Sequence, residues 1–151
     1  KGNPQQLEIG PFVQSMIEKF PERIVLIDEA SGAAGCNFDP ERLRSVLENL
    51  IRNALQAMEE SGAGVDGYGE IAIRLYKEKD WVCVSVLDRG KGIHPDVRDM
   101  VFDPFFTTKT SGSGFGLAIA KRFVEAAGGT IEIKPREGGG TAVTIRCRGN
   151  E

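Results

Sequence analysis

The stretch EIAIRLYKEKDWVCVSVL, from Glu70 to Leu87, decides the fold class of this 151-residue chain. Two alternating segments rich in β-branched residues, Glu70 to Tyr76 and Trp81 to Leu87, flank the charged tetrad Lys77-Glu78-Lys79-Asp80. Alternation with a period of two is typical of strands that are buried on one face. Because the connection between the two segments is short and polar, the stretch predicts an antiparallel β-hairpin.

A second hairpin is predicted further along the chain, where Thr130 to Lys134 and Thr141 to Cys147 flank a turn containing Gly138-Gly139-Gly140. Arg23 to Asp28 is predicted as a buried strand, and Cys36 to Phe38 as a short one. These strands are interspersed with helices without a regular βαβ alternation. We therefore expect an α/β two-layer sandwich in which a mixed, mainly antiparallel sheet packs on about three helices.

Three segments have the apolar spacing of amphipathic helices, namely Ile9 to Phe20, Asp39 to Met58 and Phe115 to Ala127. Pro21 stops the first helix, and Asp39 followed by Pro40 is typical of a helix start. Gly128 and Gly129 are expected to cap the third helix at its C-terminus. The second helix is the longest, and its apolar arc consists of Leu43, Val46, Leu47, Leu50, Ile51, Ala54 and Met58.

Charge and composition disfavour several classes of protein. A net charge of −3 argues against nucleic-acid binding and a membrane-surface role, since both need clustered Lys and Arg. Cys36, Cys83 and Cys147 lack CxxC spacing, so we expect neither a disulfide framework nor a zinc site. No apolar run approaches the roughly 20 residues that cross a bilayer. We expect a cytoplasmic domain without direct membrane contact, although a longer protein containing it could be membrane-anchored.

The long helix carries three amide side chains on one side. Asn49, Asn53 and Gln56 are four and three residues apart, beside Val46 and Leu50 at the rim of the apolar arc. Such positions suit the edge of a pocket. Ordinary polar boundary residues would give the same pattern, and for these amides alone that interpretation is preferred.

The motif Asp88-Arg89-Gly90-Lys91-Gly92 directly follows the strand that ends at Leu87. A carboxylate at the end of a buried strand can accept a hydrogen bond from an amine, while Gly90 and Gly92 let a flat ligand approach the backbone. Such an acceptor favours adenine, whose exocyclic group donates, over guanine. A simple β-turn is the alternative, because DxG sequences are common in turns.

The stretch FDPFFTTKTSGSGFGL, from Phe102 to Leu117, leads into the third helix. Its three glycines, Gly112, Gly114 and Gly116, leave backbone N–H groups and the positive end of that helix available to an anion such as phosphate. Lys109 adds a positive charge beside them. The stretch does not match the GxxxxGK[ST] phosphate loop, and a flexible glycine hinge is the alternative.

Five motifs follow one another in order: ENLIRNA (Glu48 to Ala54), DRGKGI (Asp88 to Ile93), FDPFFTTK (Phe102 to Lys109), GSGFGLAI (Gly112 to Ile119) and GGGTAVTI (Gly138 to Ile145). This order resembles the catalytic, ATP-binding domain of sensor histidine kinases, and the resemblance covers about the last three-quarters of the chain. It implies a Bergerat-type fold, shared with gyrase, Hsp90 and MutL ATPases. In that fold ATP lies between the asparagine helix and a mobile lid, which here would be His94 to Phe115.

The resemblance also implies roles for individual residues. Asn53 would coordinate the magnesium ion that bridges the phosphates, and Asn49 would support the site one turn earlier. Asp88 would accept from the adenine amine, with Thr141 near the base through water, and Lys109 would contact phosphates. Asn49, Asn53 and Lys109 would be the catalytic set. The implied nucleotide-binding positions are Asn49, Asn53, Gln56, Asp88, Gly90, Gly92, Ile93, Phe102, Thr108, Lys109, Gly112, Ser113, Gly114, Phe115, Gly116, Leu117 and Thr141.

At two positions this chain differs from related families, and these differences bear on whether it is a kinase or an ATPase. The ATPase relatives carry a glutamate that activates water one turn before the magnesium asparagine, whereas Asn49 stands there in this chain. Phosphoryl transfer depends mainly on positioning and electrostatics, so a kinase is favoured over an ATPase. Gln56 stands where histidine kinases most often have a lysine, and NALQA resembles the branch related to nitrogen regulation.

The expected function is transfer of the γ-phosphoryl group from Mg-ATP to a histidine of a separate dimerisation domain, with a response-regulator receiver domain downstream. His94 precedes Pro95 in a turn, so we do not expect it to be the acceptor. The ATP-binding domain is expected to span residues 9–151, with residues 1–8 as a linker remnant. A serine kinase of the anti-sigma-factor type and an ATPase or nucleotide-binding scaffold are the alternatives.

Overall fold

The computed structural model describes residues 2–30, 34–61, 71–103 and 116–149. The helices are α1 (Ile9–Ile17), α2 (Pro40–Ser61), α3 (Pro95–Arg98) and α4 (Gly116–Ala126). The strands are β1 (Gln5–Glu8), β2 (Ile24–Asp28), β3 (Gly35–Phe38), β4 (Ile71–Glu78), β5 (Trp81–Leu87), β6 (Thr130–Pro135) and β7 (Thr141–Arg148). Both predicted hairpins and all three predicted helices are confirmed, and β2 and β3 lie where strands were expected. The expectation that Arg23 to Asp28 is a buried strand is wrong, because β2 lies at the edge of its sheet and only Ile24 of this strand is buried.

Five strands form the main sheet in the order β2-β4-β5-β7-β6. The first pair, β2 and β4, is parallel, and the other three pairs are antiparallel. β1 and β3 form a separate antiparallel pair. The structure therefore confirms the predicted sandwich with a mixed, mainly antiparallel sheet.

The core lies between one face of the main sheet and the helices α2 and α4. Alternate residues of the central strand β5, Val82, Val84 and Val86, are at most 1% exposed. Every residue of the apolar arc predicted for α2 is buried in the same core. The two helices also pack on each other, and α2 contacts both β4 and β5.

The start of α2 follows its sequence signals. The Oδ1 atom of Asp39 accepts hydrogen bonds from the backbone N–H groups of Glu41 at 2.8 Å and Arg42 at 3.3 Å. Pro40 occupies the first helical position, where a backbone N–H would have no partner within the helix. The N–H of Asn3 also donates to the Asp39 carboxylate, and this bond is the main cause of the lowered pKa of that group.

The end of α4 is a glycine cap of the Schellman type. The N–H of Gly129 donates to the carbonyl O of Val124 at 2.9 Å, and that of Gly128 to Glu125 at 3.0 Å. Gly128 has a φ of +84°, which a residue with a side chain rarely adopts. The predicted C-terminal cap is confirmed, and the chain turns directly into β6.

Two short elements were not expected from the sequence. Gln5–Glu8, within the segment expected to be a linker, forms β1 and pairs with β3, with Leu7 opposite Cys36. The origin of residues 1–8 as a linker stays a prediction, but residues 5–8 pack within this domain. The single turn α3 has no apolar period that could reveal it. Across the described ranges, the helices lack the combination of length and apolar content that spanning a membrane requires.

Candidate functional site

The loop after β5 begins with a buried carboxylate. Asp88 directly follows Leu87, the last residue of β5, and is 5% exposed. Its Oδ1 accepts hydrogen bonds from the backbone N–H groups of Gly90 at 2.8 Å and Thr141 at 3.2 Å. Its own N–H donates to the carbonyl O of Thr141 at 2.9 Å. The expected burial of this acceptor is confirmed, and backbone groups from two parts of the chain fix its orientation.

Burial and the neighbouring polar groups shift the pKa of Asp88 in opposite directions. Burial raises the pKa of its carboxyl group, while the N–H groups of Gly90 and Thr141 and the charge of Arg136 act in the opposite direction. Burial also lowers the pKa of Arg136, and the positive charge of Arg89 adds to that effect. One carboxylate and two guanidinium groups therefore share a partly dehydrated region, where electrostatic interactions are stronger than in water.

The turn between β6 and β7 packs directly on the backbone at Asp88. A Cβ atom added to Gly140 would lie 2.0 Å from the carbonyl O of Asp88 and 2.9 Å from the Cα of Arg89. Such approaches are impossible for any residue with a side chain. Gly140 has a φ of +105°, so glycine is required here for its backbone conformation as well. This turn delivers Thr141, which is 8% exposed, to the carboxylate.

Gly90 is the point at which the loop meets α2. A Cβ atom at Gly90 would lie 2.8 Å from the carbonyl carbon and oxygen of Ala57. The sequence led us to expect that this glycine leaves room for a ligand, but the space is taken by the backbone of α2. The glycine is therefore required for packing, and a contact between Gly90 and a nucleotide stays a prediction.

The same contact brings the amide side of α2 next to Asp88. Asn53 lies one turn before Ala57 on the same side of the helix, and Asn49 lies one turn earlier again. Gln56 directly precedes Ala57. All three amide residues are half-buried, as expected for the rim of the apolar arc. The structure therefore brings together two motifs that are about 35 residues apart in the sequence.

The remaining described positions of the expected site lie in the segment after Gly90 and at the start of α4. Gly92 has a φ of +79° and lies against the turn, since a Cβ there would be 3.5 Å from the carbonyl O of Gly140. Ile93, Phe102 and Leu117 are half-buried and pack against the core.

Part of the expected site lies outside the described residues. This applies to the phosphate-contacting and lid positions Thr108, Lys109, Gly112, Ser113, Gly114 and Phe115. Gly116 is the first residue of α4. The predicted contact between phosphate and the start of this helix therefore stays a prediction.

His94 lies at the surface, as expected. Its side chain is 70% exposed, and its Nδ1 accepts the N–H of Asp96 at 3.1 Å, which caps α3. The three cysteines are buried and free. Within the ranges the structure describes, no group of three or more His, Cys, Asp or Glu residues could hold a metal ion.

Arg89 was not among the residues predicted for the site. Its Nη1 donates to the carbonyl O of Glu137 at 2.7 Å and of Gly139 at 2.9 Å, 48 and 50 residues further along the chain. Arg136, the other guanidinium group near Asp88, was also missed. An arginine in a loop ordinarily indicates a solvated position, and only the folded chain shows what it reaches.

Comparison with known proteins identifies the family of this chain. Residues 38–150 match the family described as histidine kinase-, DNA gyrase B-, and HSP90-like ATPase. The sensor histidine kinase ZraS of Escherichia coli K12 is 42% identical over 107 residues, which cover 71% of this chain and 22% of ZraS. The sensor protein kinase PilS of Pseudomonas aeruginosa is 30% identical over 152 residues, covering 96% of this chain and 28% of PilS. The chain thus spans about a quarter of these relatives.

Solved structures show the same fold over nearly the whole chain. The nucleotide-free catalytic domain of the histidine kinase ThkA superposes with a TM-score of 0.80 at 26% identity, covering 97% of this chain and 95% of that domain. Full-length ShkA in complex with AMPPNP gives a TM-score of 0.81 at 24% identity, covering 99% of this chain and 32% of ShkA. This chain therefore belongs to the histidine kinase-, DNA gyrase B- and HSP90-like ATPase family and has the fold of a histidine kinase catalytic domain.

Proposed function

We propose that this domain binds Mg-ATP beside the amide side of α2 and transfers the γ-phosphoryl group to a histidine of a separate dimerisation domain. The observation that most supports this proposal is the buried Asp88 carboxylate, which is oriented by two backbone N–H groups beside α2. A buried carboxylate at such a junction can accept a hydrogen bond from an exocyclic amine such as that of adenine. The family match and the sensor kinase relatives support the same reaction class.

Asp88 is proposed to select the base. Its Oδ1 receives the N–H groups of Gly90 and Thr141, so Oδ2 is the atom that we propose for the exocyclic amine of adenine. Guanine would present an acceptor to this acceptor, which is repulsive in a dehydrated site. Gly92, Ile93 and Thr141 would line the base.

The amides of α2 are proposed to serve the metal and the phosphates. The half-buried Asn53 side chain has an oxygen that fits a hard cation such as Mg²⁺, and Asn49 is placed one turn earlier on the same side. Magnesium, when bound, would neutralise charge on the phosphates. Lys109, Thr108 and the glycines from Gly112 to Gly116 are proposed to hold the phosphate chain.

A kinase is favoured over a hydrolase because α2 carries an amide where a hydrolase needs a base. Asn49 has no ionisable group and cannot take a proton from water. A site that orients ATP without activating water preserves the γ-phosphoryl group for an incoming nucleophile. We propose that this nucleophile is a histidine imidazole of a helical dimerisation domain, and that a response-regulator receiver domain then accepts the phosphoryl group. The domain is proposed to work in the cytoplasm, with the full protein anchored in the membrane or free.

The proposal is tested by labelling. The chain is incubated with γ-labelled ATP, Mg²⁺ and a helical phosphoacceptor domain from a related sensor kinase, and the label on the acceptor is treated with acid and base. We expect acid-labile, base-stable label, which is typical of phosphohistidine. Acid-stable label on serine would instead indicate the anti-sigma-factor type of kinase, and release of phosphate without labelled protein would indicate an ATPase.

Substituting the proposed metal ligand sharpens the same assay. Asn53→Ala should lower phosphotransfer by about 100-fold or more, because the magnesium ion that Asn53 is proposed to hold would supply several kcal/mol of transition-state stabilisation. Asn37→Ala, in an exposed position of β3, is the matched control and should have no effect. Full phosphotransfer by the Asn53→Ala variant would contradict the metal assignment.

A further inference from the structure

Arg89 connects the adenine-side loop to a distant turn. Its Nη1 donates to two backbone carbonyls, those of Glu137 and Gly139, at 2.7 and 2.9 Å. Hydrogen bonds from a charged guanidinium group are stronger than those between neutral groups. One side chain therefore holds two points of the turn between β6 and β7.

The turn that Arg89 holds contains three consecutive glycines with positive φ. The φ values of Gly138, Gly139 and Gly140 are +87°, +110° and +105°. Glycine loses more conformational freedom on folding than any other residue, so such a run is poorly ordered unless other contacts hold it. Within the turn, Arg136 N donates to Gly140 O at 3.0 Å and Gly139 N to Arg136 O at 2.9 Å. The Arg89 bonds attach this small loop to the rest of the domain.

The position of the turn determines the orientation of Asp88. Gly140 packs on the Asp88 carbonyl, and the next residue, Thr141, donates its N–H to Asp88 Oδ1. A shift of the turn would therefore weaken one of the two hydrogen bonds that orient the carboxylate. Because both hydrogen bonds of Arg89 Nη1 are to backbone carbonyls of the turn, the influence of Arg89 on Asp88 passes through the backbone of that turn.

We propose that Arg89 is a positioning residue for nucleotide selection, which fixes the glycine turn so that Thr141 holds Asp88 in the orientation that accepts adenine. This inference rests on the proposed function, because it requires Asp88 to bind the base. Within the DRGKG loop, Arg89 has the side chain that makes these hydrogen bonds to the turn, which the glycines beside it cannot make. Loss of Arg89 should weaken binding of ATP and its discrimination from GTP, while the chemical step at saturating ATP stays the same.

The test compares Arg89→Met with Arg89→Lys and a matched control, Arg74→Met. Arg74 is an exposed arginine in the middle of β4, where it lies opposite Ser85 and pairs with Glu29 rather than with the glycine turn. The dissociation constants for Mg-ATP and Mg-GTP are measured by displacement of a fluorescent ATP analogue, and amide exchange is followed at Thr141. Arg89→Met should raise the constant for ATP about tenfold, or ~1.4 kcal/mol, with little change for GTP and faster exchange at Thr141.

Rescue by the conservative variant separates positioning from charge alone. A lysine can reach one of the two carbonyls, so Arg89→Lys should recover part of the ATP affinity, and Arg74→Met should match the unchanged protein. Unaltered ATP affinity and unaltered Thr141 exchange in Arg89→Met would overturn the inference. If Arg89→Met does not fold, Arg89→Lys decides the question by the same two measurements, with a threefold loss of affinity expected and no loss overturning it.

A parallel Asp88→Asn variant keeps the two hypotheses apart. If Asp88→Asn loses ATP affinity and the Arg89 variants do not, the inference fails and the proposed adenine site stands. If Asp88→Asn binds ATP normally, the proposed adenine site fails, and with it the basis for assigning Arg89 to nucleotide selection.

Discussion

The two hairpins of the main sheet share one architecture and differ in their turns. β4 and β5 are joined by Lys79 and Asp80, between the paired residues Glu78 and Trp81. Lys79 is exposed and adopts a φ of 55° although it is not glycine. The turn between β6 and β7 runs through three glycines and contacts Asp88 and Arg89, about 50 residues earlier in the chain.

This difference separates a turn that joins strands from a turn that builds a site. In the first turn, the backbone tolerates a strained lysine, because the conformation costs only a modest amount of stability. In the second, glycine is required at Gly140 by the backbone of Asp88. Substitutions in the second turn should therefore affect nucleotide binding and stability together, whereas those in the first should affect stability alone.

The largest effect is expected from Gly140→Ala. The added Cβ would lie 2.0 Å from the Asp88 carbonyl O, and alanine at a φ of +105° is strained. Strain and displaced backbone together should cost about 3 kcal/mol or more, a fall in Tm of roughly 10 °C for a domain of this size. Urea and thermal unfolding measure the stability, and displacement of a fluorescent ATP analogue measures the affinity, which should fall strongly.

Gly139→Ala is the matched control for that substitution. Gly139 has a similar φ of +110°, but a Cβ there would meet no atom within 4 Å. Its cost should be limited to backbone strain of about 1–2 kcal/mol, with a smaller loss of ATP affinity. Equal effects of the two substitutions would show that the contact with Asp88 does not matter and that strain alone accounts for both.

Asp88→Asn should separate binding from stability. The amide keeps an acceptor at one position but presents a donor to the adenine amine, so ATP affinity should fall by about 10- to 100-fold. The folded protein should not lose stability at neutral pH, because the substitution removes a buried carboxylate whose pKa is raised by burial.

The pH dependence of that variant has a definite sign. Because the pKa of Asp88 is higher in the folded chain, its contribution to stability is full below its ordinary value of 3.8 and is lost as the pH rises through the raised value. The amide does not titrate. The stability of the Asp88→Asn variant relative to the unchanged protein should therefore increase from about pH 4 towards neutrality. A relative stability that falls over this range, measured by urea unfolding, would contradict the burial argument.

Most of the fold could be predicted because its signals are local. Alternation reveals β4 and β5, helical spacing reveals the buried arc of α2, and Asp39 with Pro40 marks where that helix begins. β1 could not be found, because the sequence QQLE has no alternation and a single apolar residue, Leu7, and its pairing with β3 depends on the tertiary fold. The same holds for α3, a single turn capped by His94.

The candidate site divides in the same way. The burial of Asp88 could be predicted from its place after an apolar strand, and the amides of α2 from their helical spacing. The reason for Gly90 could not, since it depends on the backbone of Ala57 in another element. Nor could the bonds of Arg89, which join parts of the chain 48 and 50 residues apart. Loop residues acquire such roles only when the sheet brings the ends of its strands together.

The smallest effect is expected from Lys79→Gly in the first turn. Glycine adopts a φ of 55° without steric cost, but it also has more freedom to lose on folding. The relief of a left-handed conformation is worth about 1–2 kcal/mol, and the extra freedom of glycine costs about 0.5–1 kcal/mol. The free energy of unfolding should therefore rise, by no more than about 1 kcal/mol. ATP affinity should be unchanged, because the turn lies at the opposite end of β5 from Asp88. A marked loss of ATP affinity in this variant, measured beside Gly139→Ala, would show that the two turns are coupled through the sheet and would remove the distinction between them.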